Sequence, residues 1–196
     1  GVVANTSGSI RNLGTIAGVG LGGFGMSALN EKVQKLEMLP VSMEAVTGSR
    51  ESADKQLAFL RTLGAEVGAT RMELAPEYTK FFASAQGTKL EPFAQSGFRS
   101  LTRYGKVMGL SPEEMKGTFK SITQMVNKQQ IMAEELKGQL AERLPAAVKL
   151  MAQAVTGGDT KKLMEMMKAG QLDPNPALHK FFMELEAKAA GGWGAY

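Results

Sequence analysis

The chain lacks cysteine entirely and has a single histidine, His179, among its 196 residues. Without thiols there can be neither a disulfide framework nor a thiolate metal site, and one histidine cannot supply an H-E-x-x-H zinc site. A Ser-His-Asp arrangement would need His179 and Asp173 to converge with a serine, and their spacing does not favour this. The sequence therefore predicts a protein that is not an enzyme, with no metal and no cofactor.

The chain also lacks an excess of charge of one sign. Lys plus Arg number 23 against 19 Asp plus Glu, which gives a net charge of +4, and the basic residues are scattered along the sequence. Nucleic-acid binding proteins concentrate basic residues on one surface, so specific nucleic-acid binding is not indicated. A hydrophobic content of 43% is ordinary for a folded chain that buries one core or two small ones.

The chain also lacks the alternation of apolar and polar residues, with a period of two, that is typical of β-strands. Between glycine and proline breaks the apolar residues recur at spacings of three and four, which predicts an all-α fold, a multi-helix bundle of short helices. Ser111 followed by Glu114 is the clearest start signal, because the two residues can satisfy two backbone donors reciprocally. The predicted helices are Glu51–Val67, Arg71–Ala85, Pro92–Met108, one opened by Ser111, two around Pro145, Lys161–Ala169 and one after Asp173.

The N-terminal part is rich in glycine and poor in charge. Nineteen uncharged residues run from Asn12 to Asn30, and within them Gly14, Gly18 and Gly22 are four apart. Small residues at this interval let helices approach closely, and in an apolar segment they can mark association within a membrane. A flexible or closely packed helix inside an assembly is favoured over a membrane helix, since spanning a bilayer needs about 20 apolar residues. We predict three regions: a glycine-rich apolar segment 1–30 that forms an N-terminal helix, a helical domain 31–190 and an irregular tail 191–196.

The segment from Ala133 to Ala154 has the sequence AEELKGQLAERLPAAVKLMAQA. Its order of charges, leucines and one central proline is more specific than an amphipathic helix requires. Leu136 and Leu140 predict a helix that stops at Leu144, because Pro145 lacks an N–H and clashes with the preceding turn. A second helix should then begin with Pro145 at its first position. The adjacent pair Glu134 and Glu135 indicates favourable negative charge at a helix start rather than the carboxylate pair of a hydrolase.

These residues resemble a conserved N-terminal region of the tape measure proteins of long-tailed bacteriophages, in which an E-E-L, Q-L, E-x-L-P-x-A series occurs. The matching positions are Glu134, Glu135, Leu136, Gln139, Leu140, Glu142, Leu144, Pro145 and Ala147. Similar segments extend the resemblance from about Leu36 to about Phe182. Ala141 and Ala146 stand where the family has glycines, and Asn127–Gln129 replaces a segment that usually carries one, so turn geometry is expected to differ there.

The resemblance implies a structural component of a phage tail, part of a longer protein that acts in tail assembly, tail length determination and genome ejection. Its implied partners are copies of itself, tail tube and tail tip proteins, assembly chaperones and, on ejection, the host membrane. Its implied location is the tail interior of the virion, after assembly in the bacterial cytoplasm. A membrane-active ejection protein that forms a channel in the host envelope is the alternative.

Two further expectations concern the shape and the surface of this region. A molecular ruler needs long uninterrupted helix, and this segment is too often broken to be that rod. We therefore expect either a compact anchoring or initiation module beside the ruler, or a condensed form of part of the ruler. Methionine adapts to irregular surfaces, so a methionine series can either fill a core or line a groove for a partner. The series consists of Met115, Met125, Met132, Met151, Met164, Met166 and Met167.

Overall fold

The computed structural model describes residues 24–144 and 146–193, and in this part of the chain every regular element is helical. The helices are α1 Phe24–Thr47, α2 Arg50–Val67, α3 Arg71–Ala85, α4 Ala94–Val107, α5 Pro112–Lys128, α6 Ala141–Arg143, α7 Ala147–Thr156, α8 Thr160–Lys168 and α9 Pro174–Trp193. A 3-10 turn at Glu91–Phe93 precedes α4, and a π-helix at Glu134–Leu140 precedes α6. The predicted all-α fold is confirmed. Gly14, Gly18, Gly22, Pro145 and the last three residues of the predicted tail lie outside the described residues.

The chain divides into two compact units, Gly1–Met38 and Leu39–Tyr196, and the division falls within α1. The second unit holds an aromatic core in which Tyr78, Phe81, Phe98 and Phe181 are almost fully buried. Phe98 stacks on Phe119 with ring centroids 4.2 Å apart, which joins α4 to α5. Helix α9 packs along α4 and α7, so the C-terminal helix closes one side of this core.

Local signals set the ends of the first helices in this unit. Ser49 accepts a hydrogen bond from the backbone N–H of Ser52 at the start of α2, and Gly68 ends that helix with φ of 68°. Thr70 with Glu73 at α3, and Ser111 with Glu114 at α5, each form a complete capping box. The capping predicted for Ser49, Gly68 and Ser111 is confirmed.

Close packing and ion pairs hold α4 against its neighbours. A β-carbon added at Gly97 would lie 2.4 Å from Cδ2 of Phe182 on α9, so only glycine permits this approach of the two helices. Arg103 on α4 pairs with Glu66 on α2, where Nε and Oε1 are 3.1 Å apart, and also with Glu186 on α9. These contacts make α4 the element that joins α2 to α9.

The C-terminal helix is longer than the sequence analysis predicts. The prediction of an irregular tail from Gly191 is wrong for the residues that α9 includes up to Trp193. Phe181, Leu185 and Ala189 are four apart and fully buried, so packing carries the helix to its last turns. A glycine in a helix costs about 1 kcal/mol relative to alanine, which such packing can offset.

Candidate functional site around the π-helix

The segment that carries the tape-measure-like series folds as the π-helix Glu134–Leu140, followed by the short helix α6. The prediction of an ordinary α-helix here is wrong in helix type. Leu136, Leu140 and Leu144 are four apart in sequence and all fully buried. Four residues are slightly more than one turn of an α-helix but slightly less than one turn of a π-helix, whose hydrogen bonds run from i to i+5. The directions of side chains four apart therefore rotate in opposite senses in the two helix types. Because the π-helix is followed by α6, the two rotations cancel and the three leucines stay on one face.

Glu135 is a carboxylate in the core, since its side chain is fully buried beside Leu136. Its Oε1 accepts a hydrogen bond from Nζ of Lys128, the last residue of α5. This hydrogen bond is the main cause that raises the pKa of the Lys128 ammonium, while partial desolvation opposes it and the charges of Glu135 and Glu134 add to it. Glu135 lies in the first turn of the π-helix, as predicted, and its carboxylate also binds the last residue of the preceding helix, a contact that the sequence did not indicate.

Arg143 makes a second contact between the π-helix region and α5. Its guanidinium NH1 donates a 2.7 Å hydrogen bond to the backbone oxygen of Gln139. A β-carbon added at Gly117 on α5 would lie 2.3 Å from Nε of Arg143, so the arginine crosses α5 where no side chain stands. Glu134 and Glu142 are exposed. The motif thus presents leucines and Glu135 to the interior and two carboxylates to solvent.

The turn after the motif has strained backbone geometry. Leu144 is extended, with φ of −105° and ψ of 97°, which confirms the predicted helix stop. Helix α7 begins at Ala147, so the prediction that Pro145 occupies its first position is wrong. Ala146 has φ of 64° and turns the chain into α7, and Gln129 after α5 has φ of 52°. These are the two non-glycine residues with positive φ among the described residues. Ala146 stands where the family resemblance predicts glycine, and Gln129 ends the segment Asn127–Gln129, in which it predicts one.

A cavity of 420 Å³ lies between the end of α2, the start of α3, the end of α4 and the start of α5. Its apolar lining includes Met72, Leu110 and Met115. Of the carboxylates that line it, that of Glu73 is engaged in the capping box of α3. The hydrogen bonds that the backbone and then the side chain of Thr70 donate lower the pKa of Glu73. Within the described ranges, no three His, Asp or Glu side chains are placed to hold a metal ion.

The remaining predicted residues occupy mainly structural positions. His179 is half-buried and stacks on Phe93, with ring centroids 3.6 Å apart and planes 16° apart. Most of the methionine series fills or borders the core, while Met132 is 42% exposed. Buried members are Met125, Met151 and Met167, and half-buried members are Met115, Met164 and Met166.

The sequence does not indicate that Lys128, Gly117 and Arg143 take part in the contacts of the motif. Lys128 and Glu135 are seven residues apart across a turn, and helical periodicity does not predict contacts across a turn. One signal for a buried charge was available in the sequence. Glu135 directly precedes Leu136, and Leu136 is in register with two further leucines.

Comparison with known proteins identifies the chain through the same region. A family model described as "Tape measure protein" matches residues 28–192, from within α1 to within α9. The chain belongs to the tape measure protein family. The family predicted from the motif series is therefore confirmed, and membership supports a structural role in a phage tail.

A curated member of the tape measure family is similar to nearly the whole chain. The probable tape measure protein of Salmonella phage Felix O1 (isolate Felix O1-VT1) is 30% identical over 177 residues, which is 88% of this chain. The chain spans 24% of the length of that relative. No solved structure gives a significant match. None of the helices in the described part of this tape measure chain is both long and apolar enough to cross a membrane.

Proposed function

We propose that this chain is a compact helical module of a phage tail tape measure protein, which acts in tail assembly through contacts between helices and not by catalysis. The observation that carries the proposal is the family match over residues 28–192, which extends across the helices from α1 to α9. The parent polypeptide determines tail length and takes part in genome ejection.

The helix lengths support the assignment of this segment to a module rather than to the ruler itself. The longest described helix, α1, has 24 residues and is therefore about 36 Å long at 1.5 Å per residue. The following helices are shorter and are separated by closely spaced caps and turns, so none of them supplies a long rod. Tail length is set by helical parts of the polypeptide outside this module.

The partners of the module are copies of itself, tail tube and tail tip proteins, and assembly chaperones. It resides in the tail interior of the virion after assembly in the bacterial cytoplasm. The small net charge of +4 and the scattered basic residues support a role without specific nucleic-acid binding. In this proposal segment 1–30, with Gly14, Gly18 and Gly22, and the helical domain 31–190 are two regions of one chain, and α1 runs across the boundary between them. Contact of that segment with the host membrane on ejection, including the channel alternative, stays a prediction.

Electron microscopy of tails from phage variants tests the proposal. An in-frame deletion of about 28 residues in a helical part of the parent protein outside this module should shorten tails by about 42 Å, since helix rises 1.5 Å per residue. The substitution Leu136→Asp places a charge in the core of the module and should reduce the number of tails without shortening those that form.

Lys137→Asp is the matched control, because the same residue is introduced next to Leu136 at an exposed position. It should leave the number of tails unchanged. The proposal is wrong if Leu136→Asp yields normal numbers of shortened tails, or if deletions outside the module leave tail length unchanged.

A further inference from the structure

The cavity between α2, α3, α4 and α5 has the size and the lining of a site for an aromatic group. Its volume of 420 Å³ lies in the range typical of ligand sites, about 300–1,000 Å³. Its deepest lining consists of the stacked rings of Phe98 and Phe119, which are almost fully buried. The half-buried thioethers of Met72 and Met115 lie nearer to solvent. Aromatic rings and thioethers both make favourable contacts with a further aromatic ring.

A backbone oxygen in the wall of this cavity lacks its usual partner. Met72 and Pro76 both belong to α3 and both line the cavity. Because Pro76 has no N–H, it cannot donate the helical hydrogen bond that the carbonyl oxygen of Met72 would otherwise accept. The hydroxyl of Thr102, also in the lining, donates to the backbone oxygen of Phe98 over 2.8 Å and so has no proton to offer an occupant. An occupant with its own donor therefore fits the cavity better than a purely apolar one.

The three carboxylates at the mouth of the cavity are already stabilised. Glu73 accepts a 2.6 Å hydrogen bond from the backbone N–H of Thr70. Glu77 pairs with Lys80, with 3.3 Å between Oε1 and Nζ. Glu113 lies in the first turn of α5, where the helix dipole favours negative charge.

The two ammonium groups at the mouth are available. Lys106 and Lys116 are exposed, and within the described part of the chain neither forms an ion pair. A carboxylate beside the aromatic group of an occupant would meet both cations. Trp193, the only tryptophan of this chain, is closer in sequence to Lys188 than to the nearest preceding acidic residue, Glu186. Charge complementarity thus favours a different protein over a second copy.

We propose that this cavity is a socket for a tryptophan side chain, with a carboxylate next to it, on another tail protein. Indole combines a large aromatic surface for Phe98 and Phe119 with one N–H donor for the Met72 oxygen. Tryptophan is also among the residues that most often anchor protein interfaces in pockets. The inference rests on the contacts with tail proteins included in the proposed function, and it names the surface for one of them.

Indole itself is the probe for the socket, in an NMR titration of the full chain labelled with ¹³C at its methionine methyl groups. The ring current of bound indole should shift the signals of Met72 and Met115 in a saturable way. Met132 and Met183, which are exposed and outside the lining, should keep their signals unchanged. Absence of a saturable shift at Met72 and Met115, or an equal shift at all four residues, overturns the proposal.

Filling the cavity tests its location. Ala69→Phe adds a ring to the cavity wall and should weaken indole binding at least about tenfold. Ala65→Phe is the matched control, because Ala65 is exposed on α2 and outside the lining. Equal affinities of the two variant chains would contradict the proposal.

Benzothiophene tests the hydrogen bond, since it has the shape of indole with sulfur in place of the N–H. Pro76→Ala supplies a backbone donor to the Met72 oxygen. The ratio of indole affinity to benzothiophene affinity should therefore fall about fivefold from the natural chain to Pro76→Ala, as expected for one hydrogen bond. An unchanged ratio overturns the assignment of the donor.

Indole-3-propionate tests the neighbouring carboxylate. The double variant Lys106→Glu with Lys116→Glu should weaken its binding about fivefold more than that of indole. Lys120→Glu, at an exposed position of α5 outside the lining, should affect the two ligands equally. Equal effects of the double variant on both ligands overturn the charge assignment.

Phage particles test the partner. In the parent protein, Ala69→Phe and the exposed double variant Lys106→Glu with Lys116→Glu should each reduce the number of tails, whereas Ala65→Phe should not. The double variant leaves the core untouched, so its effect is independent of any loss of fold in Ala69→Phe. Normal numbers of tails in the double variant overturn the partner role.

A second copy as the occupant would also overturn the proposal. In that case the signals of Met72 and Met115 would shift with chain concentration in the absence of indole, and Trp193→Phe would remove the shift. The tail role of the module is tested separately by Leu136→Asp and by deletions outside the module, and it would survive either failure.

Discussion

Ala146 and Gln129 carry a β-carbon in left-handed backbone, with φ of 64° and 52°. For a residue with a side chain this conformation costs about 1–2 kcal/mol, which glycine avoids. We predict that Ala146→Gly raises the free energy of unfolding by about 1 kcal/mol, and that Gln129→Gly acts in the same direction. Urea unfolding at neutral pH measures both effects.

Ala141 is the control for this prediction, because it also stands where the family resemblance predicts glycine. Its φ is −70° and it lies in helical backbone, so no positive φ has to be relieved. Ala141→Gly should therefore lower the free energy of unfolding by about 1 kcal/mol. A gain in stability at Ala141, or a loss at Ala146, would contradict the argument from backbone geometry.

The ion pair of Lys128 and Glu135 predicts an asymmetry between its two partners. Lys128→Met leaves a carboxylate in the core without its cation, whereas Glu135→Met leaves an ammonium whose side chain is 47% exposed and can be hydrated. We therefore expect Lys128→Met to lower the free energy of unfolding more than Glu135→Met. The double variant should recover stability relative to Lys128→Met alone. Equal losses in the two single variants would disprove the asymmetry.

The pH dependence of this pair follows from the raised pKa of Lys128. The folded state holds the ammonium proton more tightly than the unfolded state, so the contribution is complete below the ordinary pKa of 10.5 and is lost as pH rises through the folded value. Urea unfolding of the natural chain at neutral and strongly alkaline pH should show this loss. The double variant Lys128→Met with Glu135→Met should lack the part of this stability loss that is due to the ion pair.

At the scale of elements, Gly97 sets how closely α4 and α9 approach. An alanine β-carbon there would lie 2.4 Å from Cδ2 and 2.5 Å from Cε2 of Phe182, and the ring is held in the core. We predict that Gly97→Ala lowers the free energy of unfolding by about 2 kcal/mol, the usual cost of overpacking. Gly138→Ala is the control, since nothing lies within 4 Å of its added β-carbon. That variant should be as stable as the natural chain or more so, and equal losses at both positions would exclude the packing explanation.

The sequence predicted best those elements whose ends are set by neighbouring residues. Helix α3 has the predicted bounds, and the capping box of Ser111 and Glu114 is present, because caps depend on residues three apart. The π-helix was not predictable, since leucines four apart fit both helix types and only packing against α5 selects one. The continuation of α9 to Trp193 likewise depends on the burial of Ala189. Burial of this kind arises from tertiary packing and does not follow from the neighbouring residues in the sequence.

At the scale of the whole molecule, the order of motifs predicted the family, whereas the contacts of the motif required the fold. Glu135 reaches Lys128, and Arg143 reaches Gly117, because the chain reverses between α5 and the π-helix. That reversal depends on Gln129 in left-handed backbone, a conformation that the sequence of this chain does not indicate by glycine. The family pattern was informative here because it predicted a glycine within Asn127–Gln129.

The division at Met38 predicts that the second unit folds by itself. Among the described side chains, every buried apolar residue lies at or beyond Met43, so a chain that begins at Leu39 retains that whole core. The side-chain amide of Gln86 still donates its 2.7 Å hydrogen bond to the backbone oxygen of Val46, which anchors the remaining part of α1. We expect the truncated chain to unfold cooperatively, with a midpoint within about 4 °C of that of the full chain. Calorimetry measures this midpoint. A truncated chain that is unfolded, or that unfolds without cooperativity, would refute the independence of this unit.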